Sequence, residues 1–501
     1  MLHIYTNNST CYTYCMKQKL HLYIFLSLCF FALPLSAQNA QELSQEETQA
    51  KTVSIPTNEI QNPLKLLFHH EASARQVVLA TGEMIFDNLF VMGWNVIVKD
   101  RDWAKVNLKT MQANLTKAWI WDNNTFFMNQ LGHPYHGSLY FTSARSNNLN
   151  WLESFAVAAT GSLMWEMFME VGAPSMNDFI TTTTAGAVIG EVLHRLSFEA
   201  YDTLPLFSWI ISPVNAITQL VTGDRARRPL GTTWRNDWFM FGGFSTTAYQ
   251  FTLGKEDKEA FHGPLVGFGF DVIYNDPYGH NSQELYDQFR VQCDIFTASR
   301  YRFFRLFIDG TLYALSLEHL IQSPTTVGIT FNYDVFDVEN ISLSAGSAGL
   351  AIRMQNWISN ASLRWNVEAD YIFMGVPDVY FILNKDKPVS ISSGQPPYTY
   401  RNGPEARIGF ELSHPLAGTF ALDGQAMLLW AYPDTSRDMR LDGTTFIAHA
   451  QARYEHVIWK NISLGVSDLF YFKHEWFNST LIPDTNQITN TVRLYAKVSL
   501  R

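Results

Sequence analysis

The chain has 501 residues, enough for two domains, and carries 46 acidic against 36 basic residues. Its diffuse net charge of −10 argues against nucleic acid as a partner. Aromatic residues make up 14% and charged residues 16%, and the mean hydropathy of −0.07 is too polar for a bundle of many membrane helices. A transmembrane β-barrel fits these values, because half of each strand faces water or packed polar groups.

The N-terminal residues indicate export. Two lysines precede an apolar run over residues 20–35, and a small-residue cleavage site follows it. We therefore expect a signal peptide over residues 1–37, with Met1 or Met16 as the start, and a polar flexible leader over residues 38–62. An uncleaved anchor helix is the alternative, but the apolar run is short for a bilayer.

Residues 63–228 follow a helical period and form the predicted helical domain. Five stretches carry it: Val77–Val98, Val106–Trp121, Trp151–Val171, Asn177–Tyr201 and Leu204–Val221. Several are apolar enough to raise the question of a membrane span, but ionisable groups in hydrocarbon are costly unless they are paired. We therefore expect helices that pack on each other and against barrel walls. The alternative is a helical bundle in the inner membrane.

From residue 235 to residue 501 the period changes to two, and about twelve strands follow, an even number as closed single-chain barrels require. They are Trp238–Phe251, Pro264–Tyr274, Leu285–Ser299, Arg302–Leu315, Val327–Phe336, Asn340–Met354, Ser359–Phe373, Ala406–Ser413, Gly418–Tyr432, Thr444–Val457, Asn461–Phe472 and Val492–Leu500. A soluble β-sandwich would also alternate, but long strands and dense aromatics favour the barrel. The predicted fold class is α+β: an N-terminal helical domain followed by an antiparallel outer-membrane β-barrel.

Unusual polar residues concentrate between residues 121 and 195. Asn129–Gly137 reads Asn-Gln-Leu-Gly-His-Pro-Tyr-His-Gly, and Trp165–Glu170, Pro174–Asp178 and Gly190–Arg195 follow it. This combination resembles an uncharacterised family of bacterial exported domains, a domain of unknown function with the core Asn-Gln-x-Gly-His-Pro-Tyr-His-Gly and a barrel behind it. The resemblance runs from about residue 80 to about residue 215. It supports the architecture and implies no activity.

Two predicted helices present these polar residues as stripes. Glu166 and Glu170 are one turn apart on the first helix, while Glu191, His194 and Arg195 share a face of the second. A short Gly-Ala-Pro turn joins the helices, so they are expected to be antiparallel neighbours. The two stripes are then expected to face each other.

The catalytic hypothesis is a buried histidine and carboxylate site in these helices. Its candidates are His133, His136, Glu166, Glu170, Glu191 and His194, with the first two contributed by the preceding loop. Such a set binds a divalent metal or performs acid–base hydrolysis. The Glu191-x-x-His194 spacing occurs in carboxylate metal sites of helical bundles, but it is present once here rather than twice. The sequence assigns neither a metal nor another cofactor.

The structural interpretation of the same residues is favoured. Its network comprises Asp122, Asn129, Arg145, Ser175, Asp178 and Arg195. A buried Glu166 or Glu170 is expected to pair with an arginine, because an isolated buried charge is strongly destabilising. Ser175-x-x-Asp178 has the spacing of a capping box, and His133-Pro134 reads as a rigid turn.

The predicted function is a structural or transport-type barrel in the cell outer membrane. The helical domain is expected to be periplasmic or within the lumen, plugging the barrel or capping its mouth, because the interior is wide enough to need filling. The alternative is an envelope enzyme that acts on lipid or cell-wall material with the histidine and carboxylate candidates. Expected partners are outer-membrane lipid and the barrel-assembly machinery, and no nucleic acid.

Overall fold

A computed structural model of the chain describes residues 62–68, 70–251, 263–298, 301–338, 341–379, 396–433, 435 and 439–500. The predicted signal peptide and all but the last residue of the predicted leader lie outside this part of the chain. The described residues form helices between residues 63 and 222, followed by a closed antiparallel barrel of twelve strands. The predicted α+β fold class is confirmed.

The helical domain contains eight helices among the described residues. They are α1 (Pro63–Phe68), α2 (Ala74–Ile97), α3 (Leu108–Asn114), α4 (His133–Ser146), α5 (Trp151–Phe168), α6 (Met176–Thr203), α7 (Pro205–Ile211) and α8 (Pro213–Thr222). Ser73 and Asn150 complete capping boxes ahead of α2 and α5, and Ser175 caps α6. Pro205 and Pro213 begin α7 and α8, where a missing amide hydrogen costs nothing.

Three predicted elements differ from the observed ones. The predicted helix Val106–Trp121 is reduced to α3, because Ile120 is drawn into an extended bridge with Ser175 ahead of α6. The His133-Pro134 segment, predicted as a loop and rigid turn, instead begins α4 after a π-helical turn, and proline is tolerated in a first helical turn. The last predicted helix divides before Pro213.

Helices α2, α4, α5 and α6 form a bundle in which glycines set the closest approach. A Cβ atom on Gly137 of α4 would lie 1.7 Å from the carbonyl oxygen of Thr182 on α6. A Cβ atom on Gly186 of α6 would lie 2.6 Å from the carbonyl carbon of Gly137. Helices α4 and α6 therefore touch backbone to backbone, at a separation that any side chain would prevent.

The barrel strands correspond one to one with the predicted strands. They are β1 (Thr233–Phe251), β2 (Gly263–Tyr274), β3 (Gln288–Ala298), β4 (Tyr301–Ser316), β5 (Thr325–Val338), β6 (Ile341–Ile358), β7 (Ala361–Pro377), β8 (Arg401–His414), β9 (Gly418–Ala431), β10 (Gly443–Trp459), β11 (Ile462–Phe477) and β12 (Thr485–Leu500). A short helix, α9 (Glu318–Ile321), lies between β4 and β5. Pairing of β1 with β12 closes the ring and excludes the sandwich alternative.

Side chains alternate between the lumen and the outer surface of the barrel. Met240, Phe244, Leu350 and Leu494 project outward and are exposed, whereas the charged residues of the same strands are mostly buried inside. A closed antiparallel barrel with an even strand number and an apolar outer belt is the architecture of outer-membrane proteins. This architecture places the barrel in the outer membrane.

We call the barrel end where β1 begins and β12 ends the terminal rim, and the opposite end the loop rim. Contacts cross the lumen between strands that lie on opposite sides of the ring. Arg290 of β3 pairs with Asp423 of β9 at 2.9 Å. The rings of Phe336 on β5 and Tyr471 on β11 stack with their centroids 5.6 Å apart. The barrel therefore fills its interior with its own side chains.

The helical domain packs on the outer surface of the barrel wall, across β2 to β7. It covers two adjacent rungs of cross-strand partners, which we call the wall stripe: Val272, Val291, Ile308, Tyr333, Gly346 and Met374, and beside them Phe270, Cys293, Leu306, Val335, Ser344 and Val376. The apolar side chains of the stripe share one hydrophobic cluster with Phe141 and Val188 of the helices. On the same outward face but beyond the helices, Val266 and Leu350 are 62% and 65% exposed. The predicted plug or cap is not confirmed, because the helices cover the outside of the wall.

Candidate functional site

The predicted site residues fall into two separate clusters at opposite ends of α6. The acidic cluster lies beside its first turns and comprises Asp87, Asp122, His133, His136, Glu166, Glu170 and Asp178. The arginine cluster lies near its end and comprises Arg145, Glu191, Arg195 and Glu284, with His194 beside it. The helix hairpin explains the separation. The turn between α5 and α6 lies within a few residues of Glu166, and the backbone amide of Ser175 donates to Glu166 Oε2 at 2.7 Å. Glu191 is about four turns further along α6, so the expected facing stripes do not meet.

Two histidines of α4 enter the acidic cluster, and each pairs with a carboxylate. His133 Nε2 lies 3.6 Å from Asp178 Oδ2, and both side chains are buried. His136 Nε2 lies 3.1 Å from Asp87 Oδ2 on α2. His136 also lies within hydrogen-bonding distance of the Tyr140 hydroxyl, 3.0 Å from Nε2. One turn separates these histidines, so the helix presents both imidazoles to the same cluster.

The remaining carboxylates are held by neutral donors. Trp165 Nε1 donates to Glu170 Oε1 at 2.7 Å. The side-chain amide of Asn177 donates to Asp122 Oδ1 at 2.9 Å and to Asp178 Oδ1 at 2.8 Å. Neutral donors orient these carboxylates without supplying a compensating positive charge.

The barrel contributes directly to the acidic cluster. Asn129, in the π-helical turn before α4, donates to Asp122 Oδ1 at 2.6 Å. The same amide lies 3.0 Å from the Tyr398 hydroxyl and 3.1 Å from the Tyr400 hydroxyl. Both tyrosines belong to the connection between β7 and β8 at the loop rim. The cluster is thus fixed to the barrel as well as to the helices.

The acidic cluster contains no arginine or lysine partner among the described residues. The ion pairs of its carboxylates are those with His133 and His136. The predicted pairing of Glu166 or Glu170 with Arg145 or Arg195 is therefore wrong. Among the residues that the structure describes, no group of three His, Cys, Asp or Glu side chains is arranged to hold a metal ion.

The arginine cluster is a compensated ion network. Glu191 Oε1 accepts from Arg145 Nη2 at 3.1 Å and from Arg195 Nε at 2.7 Å. Arg195 Nη2 continues to Glu284 at 3.0 Å, in the connection between β2 and β3. The charges of Glu191 are thus neutralised by two guanidinium groups, and the network ties α4 and α6 to the terminal rim. The structural interpretation accounts for this half of the predicted site.

Among the described residues, His194 pairs with an amide side chain rather than with a carboxylate. Its Nδ1 lies 3.3 Å from Asn215 Oδ1 on α8, and Asn215 in turn donates to Ser197 at 2.7 Å. The imidazole also packs edge-on against Phe198. This buried neutral network joins α6 to α8, about four turns along α6 from Asp178, the partner of His133.

The sequence did not point to one member of the acidic cluster, Asp87, or to several residues that contact the cluster. Asp87 interrupts an apolar helix, and that interruption is a usable signal because a charge inside such a helix needs a partner. Asn177 and Tyr140 occur within the polar segment but carry no distinguishing pattern. Tyr398 and Tyr400 lie more than 260 residues from Asn129 in the chain, and no local spacing predicts their contact with it.

Residues 118–205 match the model of a domain of unknown function, DUF3943. The matched segment contains all six catalytic candidates and confirms the resemblance inferred from their motifs. No curated protein matches the chain.

Solved structures with similarity to the chain include outer-membrane channels. The COG4313 outer membrane channel from Pseudomonas putida F1 is 11% identical, with 55% of this chain and 96% of that chain covered and a TM-score of 0.29. The outer membrane channel DcaP of Acinetobacter baumannii is 9% identical, with coverages of 54% and 96% and a TM-score of 0.23. The outer membrane protease OmpT from Escherichia coli is 10% identical, with coverages of 55% and 99% and a TM-score of 0.21. TM-scores this low say nothing about the role of this barrel.

Proposed function

We propose that this protein is a structural outer-membrane barrel with a closed lumen, which carries the helical domain on its outer wall. The observation that supports this proposal is the set of contacts across the lumen. Arg290 and Asp423 cross it, as do Phe336 and Tyr471. Arg305 Nη1 on β4 also donates to Gln451 Oε1 on β10 at 2.8 Å. These strands are half a ring apart, so the side chains close the path of a solute.

The cavities of the barrel agree with a closed lumen. A cavity of about 360 Å³ lies at the terminal rim, among Arg235, Glu411 and Lys497. Deeper in the lumen, a cavity of about 100 Å³ lies among Arg290 and Arg407. Salt bridges border both cavities, and the deeper of the two is the smaller. We infer that the role of the barrel lies in its outer wall, which supports the helical domain at the wall stripe.

Conductance measurements test this proposal. Purified full-length protein in planar bilayers is expected to show no steady open-channel current. A general porin inserted under the same conditions serves as the positive control. Steady conductance from the unmodified protein would contradict the closed lumen and favour a transport role.

A second candidate function is catalysis on envelope lipid or cell-wall material at the acidic cluster. The observation that favours it is the convergence of His133, His136, Glu166 and Glu170, with no arginine or lysine among the described residues paired to these acids. An imidazole beside a carboxylate, as in His136 and Asp87, is an arrangement that supports general acid–base chemistry. Glu191 and His194 have no part in this candidate site.

Lipid mass spectrometry of envelopes tests the second candidate. A deletion strain and a His136→Ala strain are expected to share one altered lipid profile. A His194→Ala strain is the matched control, because it removes an imidazole from the same bundle away from the acidic cluster, and its lipids are expected to remain unchanged. Immunoblots confirm equal protein levels in both variants. Unchanged lipids in the deletion strain would exclude lipid chemistry as the role.

A further inference from the structure

We propose that the helical domain is embedded in the bilayer beside the barrel, with one face of α2 in contact with lipid acyl chains. This inference rests on the proposed membrane barrel and goes beyond it, since helices on a barrel could also stand in water. The first observation is the position of the wall stripe. Its residues share the outward face of β2 and β6 with Val266 and Leu350, which are apolar and exposed. Helices that cover the stripe therefore lie at the depth of the lipid belt.

Helix α2 has the length and surface of a membrane span. Its 24 residues extend about 36 Å, which suits a hydrocarbon core about 30 Å thick. It is long and apolar enough to cross a membrane, and only 17% of its most apolar window is buried. A core helix of a soluble protein would be mostly buried instead. The exposed large side chains of α2 include Val78, Phe86, Leu89, Phe90, Trp94 and Ile97.

Charge marks both ends of α2. Arg75 lies in its first turn, and Lys99 and Arg101 follow its last residue. No lysine or arginine occurs between Arg75 and Lys99. Basic residues that bracket an apolar helix reach the polar headgroup regions, and Trp94 near one end is typical of a membrane interface.

The two acidic residues within α2 turn away from the exposed face. Glu83 accepts from Asn147 at 3.0 Å and from Thr218 at 2.9 Å. Asp87 pairs with His136 inside the bundle. Both acids thus face protein groups rather than the exposed side of α2, as ionisable residues inside a bilayer usually do.

Helix α6 extends over the same depth. Helix α6 has 28 residues, about 42 Å, and contacts β4, β5 and β6 along its course. One end of it lies near Tyr398 and Tyr400 at the loop rim, and Arg195 near the other end pairs with Glu284 at the terminal rim. A helix that reaches from rim to rim spans the membrane that the barrel spans. A protein partner on α2 would have to lie in the bilayer too, so lipid is the occupant that the position favours.

Spin labelling tests the inference on the full chain in liposomes of phosphatidylcholine and phosphatidylglycerol. Single cysteines replace Phe86 and Phe90 of α2 in a background in which the native cysteines are alanine. Leu350→Cys is the matched control on the outer face of the barrel, and Lys99→Cys is the control at the end of α2. Electron paramagnetic resonance measures the collision rate of each label with oxygen, which concentrates in hydrocarbon, and with a water-soluble nickel complex.

The labels at Phe86 and Phe90 are expected to collide more with oxygen than with nickel, as at Leu350, and the order is expected to reverse at Lys99. If the nickel complex reaches Phe86 and Phe90 while Leu350 sees oxygen, the helices stand in water and the inference fails, although the barrel remains in the membrane. Low rates with both reagents at Phe86 and Phe90 indicate a covering protein or a second copy, which also overturns it. If nickel reaches Leu350 itself, the proposed membrane barrel fails as well.

Discussion

At the scale of single residues, the two clusters differ in whether their buried carboxylates have arginine partners. Glu191 receives two guanidinium groups, whereas Glu166 receives a backbone amide and lies among further carboxylates. A compensated acid is costly to remove because its partners are left buried and unpaired, and an uncompensated one has to be maintained by the fold around it. This difference, rather than the residue types, distinguishes the structural half of the predicted site from its candidate catalytic half.

Glu191→Gln is expected to lower the free energy of unfolding by about 3 kcal/mol, because it leaves the buried guanidinium groups of Arg145 and Arg195 without their shared partner. Urea unfolding in detergent, followed by tryptophan fluorescence, measures the change. Glu318→Gln, an exposed acid in α9, serves as the control and is expected to leave the midpoint unchanged. Equal midpoints for both variants would contradict a stabilising role for Glu191.

The residues of each cluster were largely predictable, but their partners were not. His133, His136, Glu166 and Glu170 do meet, as expected from the polar segment. Arg195 was expected opposite the glutamates, yet helix periodicity fixes only the face of a residue and not its height along the neighbouring helix. The length of the turn between α5 and α6 decides that height, and it placed Arg195 several turns away.

At the scale of elements, close packing of α4 on α6 depends on missing side chains. Gly137→Ala places a Cβ atom against the Thr182 carbonyl. We expect this variant to lose at least about 3 kcal/mol of unfolding free energy, since neither backbone can move without disturbing the bundle. Thermal melts of Gly137→Ala, of its control variant and of the parent protein measure the loss.

The matched control for Gly137→Ala is Gly82→Ala, on the helix α2. Nothing lies within 4 Å of a Cβ atom at Gly82. Alanine is the better helix former, so this variant is expected to gain about 0.5–1 kcal/mol. A loss at Gly82 as large as the loss at Gly137 would show that helix packing does not explain the effect.

The wall stripe offers a second prediction at this scale. Met374→Ala removes a side chain buried between the barrel and the helices, and it is expected to cost about 2 kcal/mol or more of unfolding free energy. Leu350→Ala on the same outward face is the control, because that side chain is exposed and leaves no cavity. Urea titrations measure both variants. A larger loss of unfolding free energy for Leu350→Ala than for Met374→Ala would contradict the position of the helices on the wall stripe.

Strands were more predictable than helices for a physical reason. A period of two persists through every strand because one face is always in the lumen, as in Val492–Leu500. Helix α4 was missed because Gly132 and Pro134 near its start are also typical of loops. The outer position of the bundle was not predictable either, since an outward residue such as Val335 is apolar whether lipid or a helix covers it.

At the scale of the whole molecule, a lumen that is closed by its own side chains is expected to open when those side chains are removed. The triple variant Arg305→Ala, Phe336→Ala and Tyr471→Ala deletes contacts that cross the ring, and we expect steady conductance in planar bilayers where the parent protein has none. The control is a triple variant on the outer surface: Met240→Ala, Phe244→Ala and Leu494→Ala. It measures any leak current that comes from weaker insertion into the bilayer rather than from an open lumen. If the interior triple variant shows no steady conductance, the three deleted side chains are not the ones that close the lumen.

The placement of the helices on β2 to β7 also bears on how the sheet is completed. The junction between the first and last strands, β1 and β12, lies outside that sector. A nascent chain can therefore dock its helices on the early strands while the two terminal strands are still apart. The barrel then closes by pairing β1 with β12, away from the strands that the helices cover.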